Sequence, residues 1–209
     1  MFDVEYKGGN TVLISTKKAV IVVDPKLSIV GLKDTVLKDS VELATESRFA
    51  INSDDARLVI EGPGEYGVAD FDILGLPVQR HLDAEGQLST MYRIEVGDVR
   101  IGLLGNIYEK LSDDQLEALG LIDILILPVG GNGYTLDATG AANLVRKIDP
   151  KVVIPVHYAD AALKYEVPQD TLETFVKELG APVEATPKYK VKAASTIPAS
   201  LMVIELMRS

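Results

Sequence analysis

Two apolar runs without alternation, ILILPV at 124–129 and KVVIPV at 151–156, bracket a glycine-rich loop and a segment of helical periodicity. In that segment Ala138, Ala141, Ala142, Val145 and Ile148 recur on one face, which predicts an amphipathic helix. A strand that is apolar at every position is buried on both faces. Strand, helix and strand of this kind make a parallel crossover unit over 122–158. Upstream the period is shorter. β-Branched runs at 11–15 and 19–23 flank a turn at 16–18, and further strands are predicted at 41–44, 57–60, 91–96 and 100–104. Residues 71–76 and 78–81 read as one strand broken at Pro77. Turn chemistry separates these runs: Asp24-Pro25, the Gly-Pro-Gly-Glu-Tyr stretch at 62–66, a polar turn at 83–87 and a hairpin turn at Gly97-Asp98.

Two more helices complete the pattern. Ser112 is a candidate N-cap followed by Asp113 and Asp114, with Leu116 and Leu119 on the apolar face and Gly120 at the end. Over 170–179, Leu172, Phe175, Val176 and Leu179 share a face before Gly180. Strands near 189–193 and 201–206 close the chain. A meander, then a crossover, then a helix and strand predict an α/β fold of two packed sheets with helices outside. No linker or low-complexity run interrupts residues 1–209, which read as one domain.

Composition narrows the function classes. The chain has 209 residues, ample for a single core, and 47% of them are hydrophobic. No apolar run reaches the ~18–20 residues that span a bilayer, and the first residues lack a basic region followed by an apolar stretch. A cytoplasmic protein without membrane contact is expected. The absence of cysteine excludes disulfides, thiolate metal sites and cysteine nucleophiles. A net charge of −10 argues against nucleic acid, and the short basic cluster at 188–192 reads as the solvated face of a strand. The expected partner is a small molecule or a protein. A homo-oligomer through strand addition at 193–206 is a further expectation.

In open α/β layers chemistry collects outside the carboxyl ends of strands. Gly130-Gly131-Asn132-Gly133 and His157, one of two histidines, fall at such ends. Each also has a plain structural reading. His157 suits a core histidine bonded to backbone carbonyls, and His81, near Arg80 and Asp83, suits a surface residue. Asp24 before Pro25 suits a strand-end cap. Gly130-Gly131 suits close backbone approach and a positive φ, since no P-loop lysine follows. Ser47 as a nucleophile would need a histidine base and an orienting acid.

VIVVDP at 20–25, IEGPGEYGV at 60–68, LLGN at 103–106, IDILILPVGG at 122–131 and VVIPVHY at 152–158 occur in one order. Together they resemble the metallo-β-lactamase fold, in particular its small bacterial and archaeal metal-dependent hydrolases, over nearly the whole chain. The resemblance implies a four-layer αββα sandwich with a site at one edge of the sheets. Active members hold one or two metals with an HxHxDH loop after an early strand, a later His, an Asp and a final His. Such a metal turns bound water into hydroxide. Carried over position by position, Thr45 and Ser47 stand at the first two His, Phe49 at the Asp and Ala50 at the third His. His81 matches the later His, Asn106 replaces the bridging Asp, and His157 matches the final His. Glu46, between two of these positions on an extended loop, should point away from them. A zinc site needs about three to four N, S or O ligands. The expectation is therefore a vestigial pocket of Thr45, Glu46, Ser47, Phe49, Ala50, His81, Asn106 and His157, with no cofactor and no hydrolysis. The alternative is a hydrolase that either holds a divalent metal such as zinc through His81, His157 and Glu46 or works without metal.

Overall fold

A computed structural model of the chain describes residues 1–81 and 88–209, so the polar turn expected at 83–87 lies outside the described residues. The first five strands are β1 (Phe2–Gly8), β2 (Thr11–Ser15), β3 (Val20–Val23), β4 (Val41–Leu43) and β5 (Leu58–Ile60). Four more follow: β6 (Gly64–Val68), β7 (Phe71–Gln79), β8 (Leu88–Val96) and β9 (Val99–Leu103). Then come α1 (Asp113–Leu119), β10 (Ile124–Pro128), α2 (Ala138–Ile148), β11 (Val152–Val156) and α3 (Leu172–Leu179). The chain finishes with β12 (Val183–Thr186), β13 (Tyr189–Val191) and β14 (Met202–Leu206). They form a six-stranded sheet, β13-β1-β2-β3-β4-β5, and an eight-stranded sheet, β12-β14-β11-β10-β9-β8-β7-β6.

Several elements differ from the sequence pattern for identifiable reasons. β1 was not predicted, although Phe2, Val4 and Tyr6 alternate and enter the core between the sheets. The turn expected at 62–66 ends early, because Gly64 at φ +153 carries the chain straight into β6. β7 runs unbroken through Pro77: β6 pairs with it only as far as Gly75, so beyond that point the open side has no ladder to interrupt. The strand-addition segment expected at 193–206 is corrected as well. β14 lies inside the sheet between β11 and β12, and its backbone is already paired.

The two sheets stack as in an αββα sandwich, with α1, α2 and α3 on the outer face of the eight-stranded sheet. Inner-facing residues of both sheets, among them Tyr6, Ile14, Ile21, Tyr92, Ile101 and Ile126, make one apolar layer. On the outer face of the eight-stranded sheet, Leu125, Leu127 and Val153 meet Leu119 of α1, Leu144 of α2 and Phe175 of α3. The outer layer of the six-stranded sheet is thin, built from loops with short 3-10 turns at Leu27–Val30 and Ser47–Phe49. Glu42 holds part of that layer in place. Its buried carboxylate accepts the backbone N–H groups of Ile51, Asn52 and Ser53 at 2.5, 2.9 and 3.2 Å. Among the described residues no helix is long and apolar enough to cross a membrane.

The sheets are tied together at one edge. From β8, the Tyr92 hydroxyl donates to the Ala44 carbonyl at 2.8 Å, while the Thr90 N–H and Ser89 hydroxyl donate to the Thr45 carbonyl at 2.9 and 3.0 Å. Removing one such buried bond leaves an acceptor short of a partner. Tyr92→Phe is expected to lose about 1–2 kcal/mol of stability in urea unfolding. A loss near zero would show that the bond adds nothing to sheet pairing at this edge.

Candidate functional site

The carboxyl ends of β3, β4, β9, β10 and β11 meet at that edge. Two of them carry non-glycine residues in the left-handed region, Asp24 after β3 at φ +43 and His157 after β11 at φ +51. Asp and His are among the residues that adopt this conformation most readily. The Asp24 side chain meets Thr45 beyond the end of β4, and the His157 ring meets Tyr134 beyond the end of β10. Two glycines permit the close approach of neighbouring ends. A Cβ on Gly105 would lie 2.6 Å from Thr45, and one on Gly130 would overlap the His157 carbonyl and the Gln169 side-chain oxygen.

Asp24 is buried and accepts twice from Thr45, from its N–H and its hydroxyl, each at 2.7 Å. Burial pushes its carboxyl up to about 7, against the lowering effect of the two Thr45 bonds. The Thr45 hydroxyl is therefore turned toward Asp24 and committed to it.

Glu46 does not point away from its neighbours, as an isolated extended loop would suggest. Its carboxylate, 5% exposed, joins a chain of polar contacts across the edge. Arg48 reaches it through Nε at 2.8 Å and Nη2 at 3.2 Å, Arg80 through Nη1 at 3.4 Å and the Asn106 amide at 3.4 Å. Asn106 in turn accepts from the Asn10 amide at 3.1 Å. Tertiary packing overrides the local alternation because two guanidinium groups converge on this carboxylate. The Arg48 guanidinium also lies 4.6 Å over the Phe49 ring and 5.2 Å from the Tyr134 ring centre, within the range of cation–π attraction.

His157 is 3% exposed and sits between Tyr134, 5.3 Å away, and Tyr165, which meets it edge-on at 4.7 Å. Its Nδ1 has no hydrogen-bond partner, so the carbonyl-satisfied core histidine is not what the fold contains. Burial, helped by the nearby Arg48 charge, pushes its imidazole down to about 3 and keeps the ring neutral. Two cavities share its side chain. One of about 90 Å³ is lined by Arg48, Tyr134, His157, Tyr165, Glu166 and Gln169, with Ile29 and Val30 as an apolar wall. A smaller one of about 20 Å³, lined in part by Asn10, Asp24 and Phe49, lies against it.

The remaining candidates fall elsewhere. His81 lines neither cavity; its N–H donates to the Asn106 carbonyl at 2.8 Å, and burial lowers its imidazole with Asp137 and Glu109 as the nearby carboxylates. Ser47 is exposed at the start of its 3-10 turn, and no hydrogen bond joins its hydroxyl to either histidine. Ala50 is buried and offers no donor. The structure thus joins Thr45, Glu46 and Asn106 in one polar network, puts Phe49 and His157 on the cavities, and leaves His81 and Ser47 apart. Arg48, Tyr134, Tyr165 and Gln169 escaped the sequence reading. Arg48 was visible inside the 45–50 segment, whereas Tyr165 and Gln169 lie in an unpatterned connection after β11.

Two sheets packed face to face, with functional side chains drawn from their carboxyl edge, define the metallo-β-lactamase class of α/β sandwiches. The chain belongs to this superfamily: the family described as a beta-lactamase superfamily domain matches residues 3–157. It is 31% identical over 137 residues to a UPF0173 metal-dependent hydrolase of Thermococcus onnurineus, covering 57% of this chain and 60% of that protein. A second relative, from Pyrococcus horikoshii, is 32% identical over 44% of each chain. The chain therefore matches these curated relatives over less than two thirds of their length. Among solved structures, a Thermotoga maritima protein provisionally described as a Zn-dependent hydrolase of the superfamily superposes with a TM-score of 0.78 at 21% identity, covering 99% of both chains. Igni18, a metallo hydrolase of Ignicoccus hospitalis, superposes with a TM-score of 0.65 at 16% identity over 86% of this chain and 90% of its own. At these identities the likeness speaks for the fold.

The metal that such relatives' names imply does not fit the donors that the described residues bring to this edge. Among the described residues no three His, Asp or Glu side chains stand together as a ligand group. The Thr45 hydroxyl is bonded to Asp24, the Glu46 carboxylate is engaged by two guanidinium groups, and Asn106 is a neutral amide. Arg48 brings a fixed positive charge to the same edge, which opposes a divalent ion at close range.

Proposed function

We propose that this protein is a ligand-binding member of the metallo-β-lactamase superfamily that works without a metal and without hydrolysis. The observation that carries this reading is the Arg48–Glu46 pair. An organic cation and its counter-ion take up the strand edge where the resemblance implies metal ligands, with Arg80 and Asn106 also on Glu46 and Asn10 on Asn106. A metal-activated hydroxide needs open coordination on a charge-balanced ion. An arginine already paired with a carboxylate supplies binding and orientation instead.

The test is metal analysis of protein expressed with zinc, manganese and iron supplied and purified without chelator, alongside turnover assays on phosphodiesters, lactones and thioesters. Substoichiometric metal and no turnover are expected. Near-stoichiometric metal that disappears in His157→Ala, or hydrolysis abolished by that substitution, would overturn the proposal.

A further inference from the structure

We infer that the cavity between Arg48 and His157 is a binding site for a small zwitterion of the α-amino-acid type, glycine or alanine in size. This deepens the metal-free reading of the same edge and rests on it. The first ground is charge. Arg48 commits Nε and one N–H of Nη2 to Glu46 and faces the Tyr134 hydroxyl, which leaves at least two of its five N–H donors for another acceptor. A guanidinium presents such donors in a planar fork that matches a carboxylate. The Glu166 carboxylate lines the same cavity and acts on Arg48 electrostatically. A simple anion would be attracted by Arg48 but repelled by Glu46 and Glu166. A simple amine would meet the reverse. A molecule with both charges answers both groups.

The second ground is the wall. Tyr134, Tyr165 and the neutral His157 ring surround the space, and aromatic faces attract an ammonium group. His157 is buried with its Nδ1 unpartnered, and Gln169 likewise carries an unpartnered side-chain oxygen. Buried polar atoms are ordinarily satisfied, and orphans gathered at a cavity point to a polar ligand. The third ground is size. A cavity of about 150 Å³ holds benzene, with its six heavy atoms. On that scale the roughly 90 Å³ here encloses about four heavy atoms, so glycine with five or alanine with six keeps one or two atoms at the mouth beside Arg48, whose side chain is 40% exposed, and a larger side chain is excluded.

The experiment is calorimetric titration of the full chain at neutral pH with glycine and L-alanine. L-Tryptophan serves as the size control, and acetate and ethylammonium as the single-charge controls. Glycine or alanine is expected to bind, with each single-charge probe at least tenfold weaker and tryptophan not binding. Arg48→Gln should weaken glycine at least tenfold. Glu166→Gln should weaken glycine while improving acetate, an exchange that a merely structural role would not produce. Both side chains reach the surface, and circular dichroism of the variants confirms that they fold. No binding of either amino acid, acetate binding as tightly as glycine, or tryptophan binding as tightly as glycine would overturn the inference. Metal content of the same samples separates the failures: metal-free protein that ignores glycine sinks this inference alone, whereas stoichiometric metal sinks the reading beneath it.

Discussion

His157→Asn is expected to change how the stability of this protein depends on pH, by an amount that grows to the order of 5 kcal/mol between about pH 3 and 6.5. The imidazole lies near 3 in the fold and near 6.5 in the unfolded chain, so through that window the unfolded state holds the extra proton. Its contribution is present above 6.5 and is lost as pH falls, with a slope of about 1.4 kcal/mol per pH unit. Asp24 works in the opposite sense. Its carboxyl is raised to about 7 from an unfolded value near 3.8, so its contribution is full below 3.8 and is lost as pH rises toward 7. The two slopes nearly cancel between about pH 4 and 6.5. Removing one group exposes the other. Relative to the parent, His157→Asn should become steadily less stable as pH rises, and Asp24→Asn should become steadily more stable. Asparagine suits the left-handed backbone at both positions. Urea unfolding at half-unit pH steps reads the two differences. Parallel profiles for parent and both variants would show that neither group titrates away from its ordinary value.

Gly130→Ala is expected to cost about 3 kcal/mol, near the upper end for inserting one methyl group into a packed site. The new Cβ would run into the His157 carbonyl and the Gln169 side chain, and the carbonyl is backbone that cannot rotate away. Gly62→Ala is the matched control. Gly62, like Gly130, has no left-handed φ, and nothing lies within 4 Å of its Cβ position, so a loss within about 0.5 kcal/mol is expected. Comparison of urea midpoints decides the matter. Equal losses at the two positions would mean that the strand ends at the site are able to spread apart.

The fold was largely legible because its signals are local. The unalternating runs of β10 and β11, the helical spacing of α2 and the Ser112 N-cap of α1 each depend on residues a few positions apart. Misreadings came where a neighbouring element changed the cost of a residue. Pro77 sits on an open ladder, and β1 is held between β13 and β2, which lie far from it and beside it in the chain. The edge that carries the candidate site was legible too. Strands that run parallel place their carboxyl ends together, and His157 and the 130–133 loop end two of them.

What the side chains do there was a tertiary matter. On an isolated extended loop Glu46 should turn outward; Arg48 beside it, with Arg80 and Asn106 from distant parts of the chain, turns it in. The sequence by itself determined the layers and the crossover, and its resemblance to the family led to the expectation that Thr45, Ser47, Phe49, Ala50 and Asn106 stand at imidazole and carboxylate positions. Only the tertiary structure decided that Arg48 would supply the charge at this edge and that Tyr134 and Tyr165 would enclose His157. The physical reason is one of range. Periodicity reports which face of an element is buried, whereas a binding site is a sum of short-range contacts among residues that folding alone brings within a few ångströms.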